Sequence, residues 1–162
     1  MKIFSIVGWS GSGKTSLITR LIERFRDEKR RVIAVKGTHA GYDLQPQGKD
    51  TARFLRAGAQ EVYLMSEGEL LRMTALASPD ELLAELRSRL GADDIVLLEG
   101  LTRPGIPVIE VEDPRGRKAL KSDPASLAAV VGNAGGGVPG RPRFRPDDIA
   151  GLSAFMEGCH GK

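Results

Sequence analysis

Apolar positions along the chain alternate between two spacings, and the switches mark out strands and helices in turn. Lys2 to Val7 reads K-I-F-S-I-V and runs into Gly8, which predicts a short buried strand. From Lys14 onward, Leu17, Ile18, Leu21, Ile22 and Phe25 recur at the i, i+3, i+4, i+7, i+8 spacing of an amphipathic helix. Arg31 to Val35 is β-branched and predicts a second strand. Gly37 to Gly48 holds three glycines and Pro46 without a period, and reads as a loop. Lys49 to Ala57 predicts a short helix stopped by Gly58, and Glu61 to Met65 a strand. Ser66-Glu67-Gly68-Glu69 has the spacing of a capping box and so predicts a helix start. Ser78-Pro79-Asp80-Glu81 has it more fully, with Pro79 in the first helical position before Leu82, Leu83, Leu86 and Leu90.

Ile95 to Leu98 is a continuous apolar run, the pattern of a strand covered on both faces. Beyond Gly100, Pro107 to Val111 predicts a strand, Asp113-Pro114-Arg115-Gly116 a turn and Arg117 to Lys121 a return strand. Leu127 to Val131 predicts another strand, ending at Gly132-Asn133. Ala134 to Pro146, rich in glycine, proline and arginine, reads as a loop, and Asp147 to Met156 as a last helix. The expected fold is α/β: one domain over residues 1–162, a mostly parallel sheet with helices on both faces, and an added hairpin near 107–121.

Composition narrows the class only slightly. With 41% hydrophobic and 28% charged residues the chain has the profile of a soluble globular domain, and 162 residues suffice for one real core. No run of about 18 apolar residues occurs, so no membrane span is expected. The apolar stretch from Met1 is too short for a signal peptide, which predicts a cytoplasmic protein. The net charge of +3 comes with no long basic run and only 5% aromatics; an anionic small molecule explains that balance as well as nucleic acid does, and no nucleic-acid partner is expected. Cys159, the single cysteine, lies beside His160 near the C-terminus, and two adjacent residues make no metal cage.

The chemistry concentrates at Gly8-Trp9-Ser10-Gly11-Ser12-Gly13-Lys14-Thr15, a complete G-x-x-x-x-G-K-[ST] phosphate loop between a predicted strand and a predicted helix. Glycines let backbone N–H groups close on phosphates, and the helix dipole points the same way. Lys14 is expected to reach the β and γ phosphates of a nucleoside triphosphate, and Thr15 to place its hydroxyl on Mg²⁺. Ser16 adds one more donor. A dinucleotide fingerprint fails, because Gly11-Ser12-Gly13 would need a third glycine where Ser16 stands. Trp9 inside the loop is expected to pack rather than to stack on a base.

Such a site needs a carboxylate at the end of a buried strand, and Glu99 follows four apolar residues and precedes Gly100. Glu99 is therefore the candidate metal and catalytic acid, with Lys14 the catalytic cation. Asp93 and Asp94 precede the same strand and fall at the wrong end of the sheet. Lys36, Thr38 and His39 leave the second strand on the same edge as the phosphate loop, and Asp43 and Asp50 follow in the same region. Asn133 is a candidate base contact, although Asn-Ala-Gly-Gly-Gly is also a good turn and no Asn-Lys-x-Asp motif is present.

These residues resemble the molybdopterin-guanine dinucleotide biosynthesis protein B family. The resemblance rests on the phosphate loop, Lys36-Gly37-Thr38-His39, Gly48-Lys49-Asp50 leading to Arg56-Ala57-Gly58-Ala59, Leu98-Glu99-Gly100 and Asp148-Ile149-Ala150-Gly151-Leu152, in that family's order. It implies a GTP-binding, Mg²⁺-dependent, weakly hydrolytic homodimer that assists the guanylyltransferase attaching GMP to molybdopterin. It assigns Lys14 and Thr15 to phosphate and Mg²⁺, Glu99 to the strand-end acid, and Lys36, Thr38 and His39 to a loop near the active site. One departure stands out: Gly37 and Ala40 replace two histidines of the family's Lys-His-Thr-His-His segment. Two other readings compete. A small-molecule kinase would use Arg103, Arg115, Arg117 and Lys118 as a basic lid, and a metal-insertion GTPase would need more than His39, His160 and Cys159. With no glutamine placed to orient water and no arginine finger in cis, any hydrolysis is expected to be slow.

Overall fold

Six strands of the computed structural model form one sheet in the order β2-β5-β1-β6-β7-β8, and every neighbouring pair is parallel. They are β1 (Lys2–Gly8), β2 (Val32–Lys36), β5 (Ile95–Glu99), β6 (Val108–Val111), β7 (Leu127–Val131) and β8 (Arg143–Phe144). The structure describes residues 1–37, 51, 53–55, 57–74, 78–116, 118–133 and 138–159. By its internal packing the chain divides into two compact units, Met1–Gly37 with Leu90–Lys162, and Thr38–Arg89.

Alternation along the strands sorts the first unit's core. Phe4 and Ile6, Ile95 and Leu97, Ile109 and Val111, and Ala129 and Val131 all join one buried cluster. Leu17, Ile18, Leu21 and Phe25 of helix α1 (Lys14–Asp27) and Leu152 and Met156 of the C-terminal helix, Ile149–Gly158, complete it. Each of these side chains larger than Ala129 contributes about 1.5–3 kcal/mol on burial. On the other face Val108, Leu127 and Val130 cluster with Val7, Leu120 and Val138, Leu127 joining them because the β6–β7 register shifts beside it. Because β5 lies between β2 and β1, Ile95 to Leu98 are buried on both faces, as the unbroken apolar run requires. Both helices of this unit pack on the α1 face.

The second unit is a hairpin, β3 (Glu61–Ser66) and β4 (Glu69–Thr74), followed by helix α2 (Pro79–Arg89). Ser78 caps α2, its Oγ accepting the Glu81 N–H at 3.3 Å. The C-terminal helix, α3, is capped in the same way, Asp148 Oδ1 accepting the Gly151 N–H at 2.9 Å. Arg72 on β4 ties the unit together by pairing with Glu61 on β3 and Glu85 on α2. Thr51 and residues 53–55 are helical, and Gly58, with φ +105°, ends that stretch as expected.

Three expectations are corrected. Ser66-Glu67-Gly68-Glu69 does not start a helix; Glu67-Gly68 is the two-residue turn of the β3–β4 hairpin, with Gly68 at φ +80°. A glycine that takes positive φ suits a turn and weakens a first helical turn, so turn chemistry outweighs the capping spacing. The hairpin near 107–121 does not form either. Both edges of β6 are taken by β1 and β7, so no edge is left for a return strand, and Lys118 to Lys121 run as irregular chain. Finally, part of the 134–146 stretch is ordered as β8, a two-residue edge strand parallel to β7.

Candidate functional site

The parallel sheet brings the C-terminal ends of β1, β2, β5, β6 and β7 to one edge, the place where open α/β sheets bind ligands. The phosphate loop leaves β1 there. Gly8, Gly11 and Gly13 hold φ values of +146°, +75° and +96°, a backbone that side chains rarely permit. A Cβ at Gly8 would also run into the Val111 carbonyl oxygen and the Ser12 hydroxyl. Ser10, Gly11, Gly13, Thr15 and Ser16 are exposed, whereas Ser12 is buried with its Oγ lacking any hydrogen-bond partner among the described residues.

Helix α1 starts differently from α2 and α3. Its N-cap is Gly13, no side chain caps it, and its first turn carries no acidic residue. An exposed N-terminus of this kind leaves backbone N–H groups and the positive end of the helix dipole for an external anion. Lys14 Nζ meanwhile donates to the carbonyl oxygens of Gly8 at 3.1 Å and Trp9 at 2.7 Å, folding its charge back over the loop. Partial burial lowers the Lys14 pKa; the Glu99 carboxylate opposes that shift, while the Lys121 and Lys36 ammonium groups add to it. Three lysines, Lys14, Lys36 and Lys121, thus act on one another beside the single carboxylate of Glu99.

Thr15 and Glu99 are brought together: Thr15 Oγ1 donates to Glu99 Oε1 at 3.1 Å. Lys36 Nζ lies 3.7 Å from the same oxygen, as its register opposite Glu99 on β5 dictates. Glu99 is held in place by its backbone, its carbonyl oxygen accepting the Gly37 N–H at 2.9 Å. A hydroxyl and a carboxylate sharing one hydrogen bond beside a phosphate loop are the hard oxygen donors that Mg²⁺ takes. The residues therefore fit that ion. Among the described residues no cluster of three His, Cys, Asp or Glu forms a separate metal cage. Thr38, His39, Ala40, Asp43 and Asp50 lie outside the described residues.

Asn133 is exposed at the end of β7, beside Gly132, where a Cβ would strike the Glu112 carboxylate. With Ser12, Val111, Asp113, Pro114 and Pro146 it lines a cavity of about 50 Å³. Of the basic lid residues, Arg103 Nη1 donates to the Thr102 carbonyl at 2.9 Å, Lys118 rests on Trp9 and Arg117 lies outside the described residues. Cys159 is half-buried, and that burial raises its thiol pKa.

Glu110 and Lys121 were not among the sequence candidates. Glu110 is fully buried in β6, and its two carboxylate oxygens accept the backbone N–H groups of Lys121 at 2.6 Å and Ser122 at 2.8 Å. Its signal was an acid inside the apolar run Val-Ile-Glu-Val, since a charge buried in a strand needs fixed donors. Trp9 packs as expected, though against lysines: its Nε1 donates to the Ala119 carbonyl at 2.9 Å, and Lys118 and Lys121 lie over its ring.

Comparison with known proteins gives one consistent result. The family model for "Molybdopterin guanine dinucleotide synthesis protein B" matches residues 3–133. A molybdopterin-guanine dinucleotide biosynthesis adapter protein of Haemophilus influenzae is 32% identical over 133 residues, spanning 81% of this chain and 74% of that protein. The crystal structure of Bacillus subtilis MobB superposes with a TM-score of 0.74 over the whole of both chains at 23% identity, which supports the fold. A crystal structure of molybdopterin-guanine biosynthesis protein B superposes at 0.66, with 27% identity over 96% of this chain and 98% of that one.

Proposed function

Since the chain belongs to the molybdopterin guanine dinucleotide synthesis protein B family, we propose that it serves molybdenum cofactor biosynthesis as a GTP-binding adapter that assists a molybdopterin guanylyltransferase. The observation that carries the nucleotide part is the uncapped start of α1 under three positive-φ glycines, with Lys14 folded over the loop. In the proposed complex the N–H groups of the loop and the first turn of α1 hold the phosphates. Lys14 leaves the Gly8 and Trp9 carbonyls for phosphate oxygens. Thr15 Oγ1 and the Glu99 carboxylate would hold Mg²⁺, which neutralises charge on the β and γ phosphates. Lys36 balances Glu99. Asn133 is the proposed guanine contact, reached once the small cavity beside Ser12 opens. Thr38, His39 and Asp50 are proposed to line the neighbouring loop.

Hydrolysis is proposed to be slow, resting on charge neutralisation by Lys14 rather than on a residue that activates water. The working location proposed is the cytoplasm, where nucleoside triphosphates are made; among the described residues no helix is long and apolar enough to cross a membrane. A homodimer is proposed through the hairpin. Tyr63, Met65 and Leu70 share one of its faces by strand alternation and register, and all three are exposed, Met65 by 80%. The test is a reconstituted transfer of GMP to molybdopterin. Added protein should raise the yield of dinucleotide while Lys14→Ala should not, and an unchanged yield with the native chain would overturn the adapter reading.

A further inference from the structure

Lys121 occupies an unusual seat for a lysine outside every assigned motif. Its backbone N–H is fixed by buried Glu110 at 2.6 Å, so the residue is anchored beneath the phosphate loop. Its ammonium rests 3.8 Å from the centroid of the Trp9 ring, the second residue of that loop. It also lines a cavity of about 390 Å³ whose wall includes Gly8, Gly100, Thr102 and Ser122. Gly8, on that wall, is also the residue whose carbonyl oxygen accepts from Lys14 Nζ, the cation that phosphate loops direct to the outer phosphates. The cavity therefore adjoins the phosphate loop at Gly8, and Lys121 stands on its wall. After burial, the Lys121 charge is a further cause of the lowered Lys14 pKa, which places the two ammonium groups within electrostatic reach of one another.

We propose that Lys121 is a terminal-phosphate sensor, leaving Trp9 to bind the γ phosphate of a bound triphosphate and so distinguishing triphosphate from diphosphate. The proposal rests on the nucleotide-binding reading above. Three features support it. Lys14, Lys36 and Lys121 share the one carboxylate of Glu99, and cations in that excess gain from a shared phosphate. An ammonium on an aromatic face is weakly held and easily moved. The anchor is a backbone contact, so the side chain is free to swing while the loop stays in place. Lys118 also touches Trp9, at 4.5 Å, but is not among the residues lining the cavity.

The chain has one tryptophan, so its fluorescence reports Trp9 alone. Titration of the full chain with Mg²⁺ and either a non-hydrolysable GTP analogue or GDP, by calorimetry and by fluorescence, is the test. The native protein should bind both and change its emission with the triphosphate but not with GDP. Lys121→Ala should weaken the triphosphate analogue about tenfold or more and GDP within about twofold, with the emission change lost. Lys121→Arg should restore the preference, and Lys118→Ala should keep it. Equal losses for the two nucleotides in Lys121→Ala, or the same loss in Lys118→Ala, would overturn the sensor. A native protein that binds neither nucleotide would overturn the nucleotide-binding reading itself.

Discussion

The parallel-sheet unit and the hairpin unit handle apolar and charged residues in opposite ways. In the first, strands β5, β6 and β7 are almost wholly buried, and the one fully buried acid inside them, Glu110, is met by two backbone N–H groups. In the second, Met65, Leu70 and Tyr63 are exposed, and Arg72 with its two glutamates supplies the ties between elements. A fully buried sheet holds backbone and carboxylate positions firmly enough to shape a phosphate site. An exposed apolar face on a small hairpin costs solubility unless something covers it. The contrast teaches where to look for each part of the proposed function: the proposed nucleotide site in the first unit, the proposed dimer contact in the second.

The strongest way to break this division is at Lys14. Lys14→Ala should remove measurable GTP binding by calorimetry, because the loop loses its own cation while its fold survives. Circular dichroism should therefore be unchanged, and a variant that binds GTP normally would detach the site from the loop. Glu110→Ala comes next. Leaving the Lys121 and Ser122 N–H groups without their acceptor should cost about 2–3 kcal/mol in urea unfolding. Glu110→Gln, keeping one acceptor oxygen, should recover part of it, whereas a neutral Glu110→Ala would mean the loop is held otherwise.

Changing the hairpin face probes the other half. Met65→Lys with Leu70→Lys should turn a dimer into a monomer in light scattering while leaving GTP affinity within about twofold, since an interface of this kind depends on apolar contact. A persistent dimer would move the interface elsewhere. The smallest expected effect is acidic. Glu61 is held below the ordinary carboxylate value by its hydrogen bond from Tyr63 and then by Arg72, and Glu85 by Arg72 and then Arg89. Folded pKa values below the unfolded ones mean stability present above about pH 4.5 and lost as pH falls through the lowered values. NMR titration of Arg72→Ala should show both glutamates moving upward, neither by the full amount because Tyr63 and Arg89 remain. Unmoved titrations would show that Arg72 does not tie the unit.

Most of the first unit was legible in the sequence because its signals are backbone signals. The phosphate loop, the period of Leu17 to Phe25 and the run Ile95 to Leu98 each require one local geometry, and strand order then carries Glu99 to Thr15. The cap at Ser78 and the final helix, expected over Asp147 to Met156 and found at Ile149–Gly158, read correctly for the same reason. What misled was spacing without backbone freedom taken into account. Ser66 to Glu69 fits a cap, but Gly68 prefers the turn. Arg117 to Lys121 looked like a return strand because a turn precedes it, and only the sheet order shows both β6 edges filled. Lys121 was invisible as a functional candidate, since its placement depends on Glu110 and Trp9, each far from it in the chain or hidden in an apolar run. Thr38, His39 and Asp50 belong to the family resemblance and lie outside the described residues.

The central claim is that Gly8 to Thr15 with Glu99 forms a guanine-nucleotide site, and calorimetry of the native chain with GTP and ATP in the presence of Mg²⁺ tests it most directly. The expected result is one GTP per chain, with an affinity at least about tenfold above that for ATP and a marked loss when Mg²⁺ is removed. Binding of ATP as tightly as GTP, or no binding of either, would contradict it.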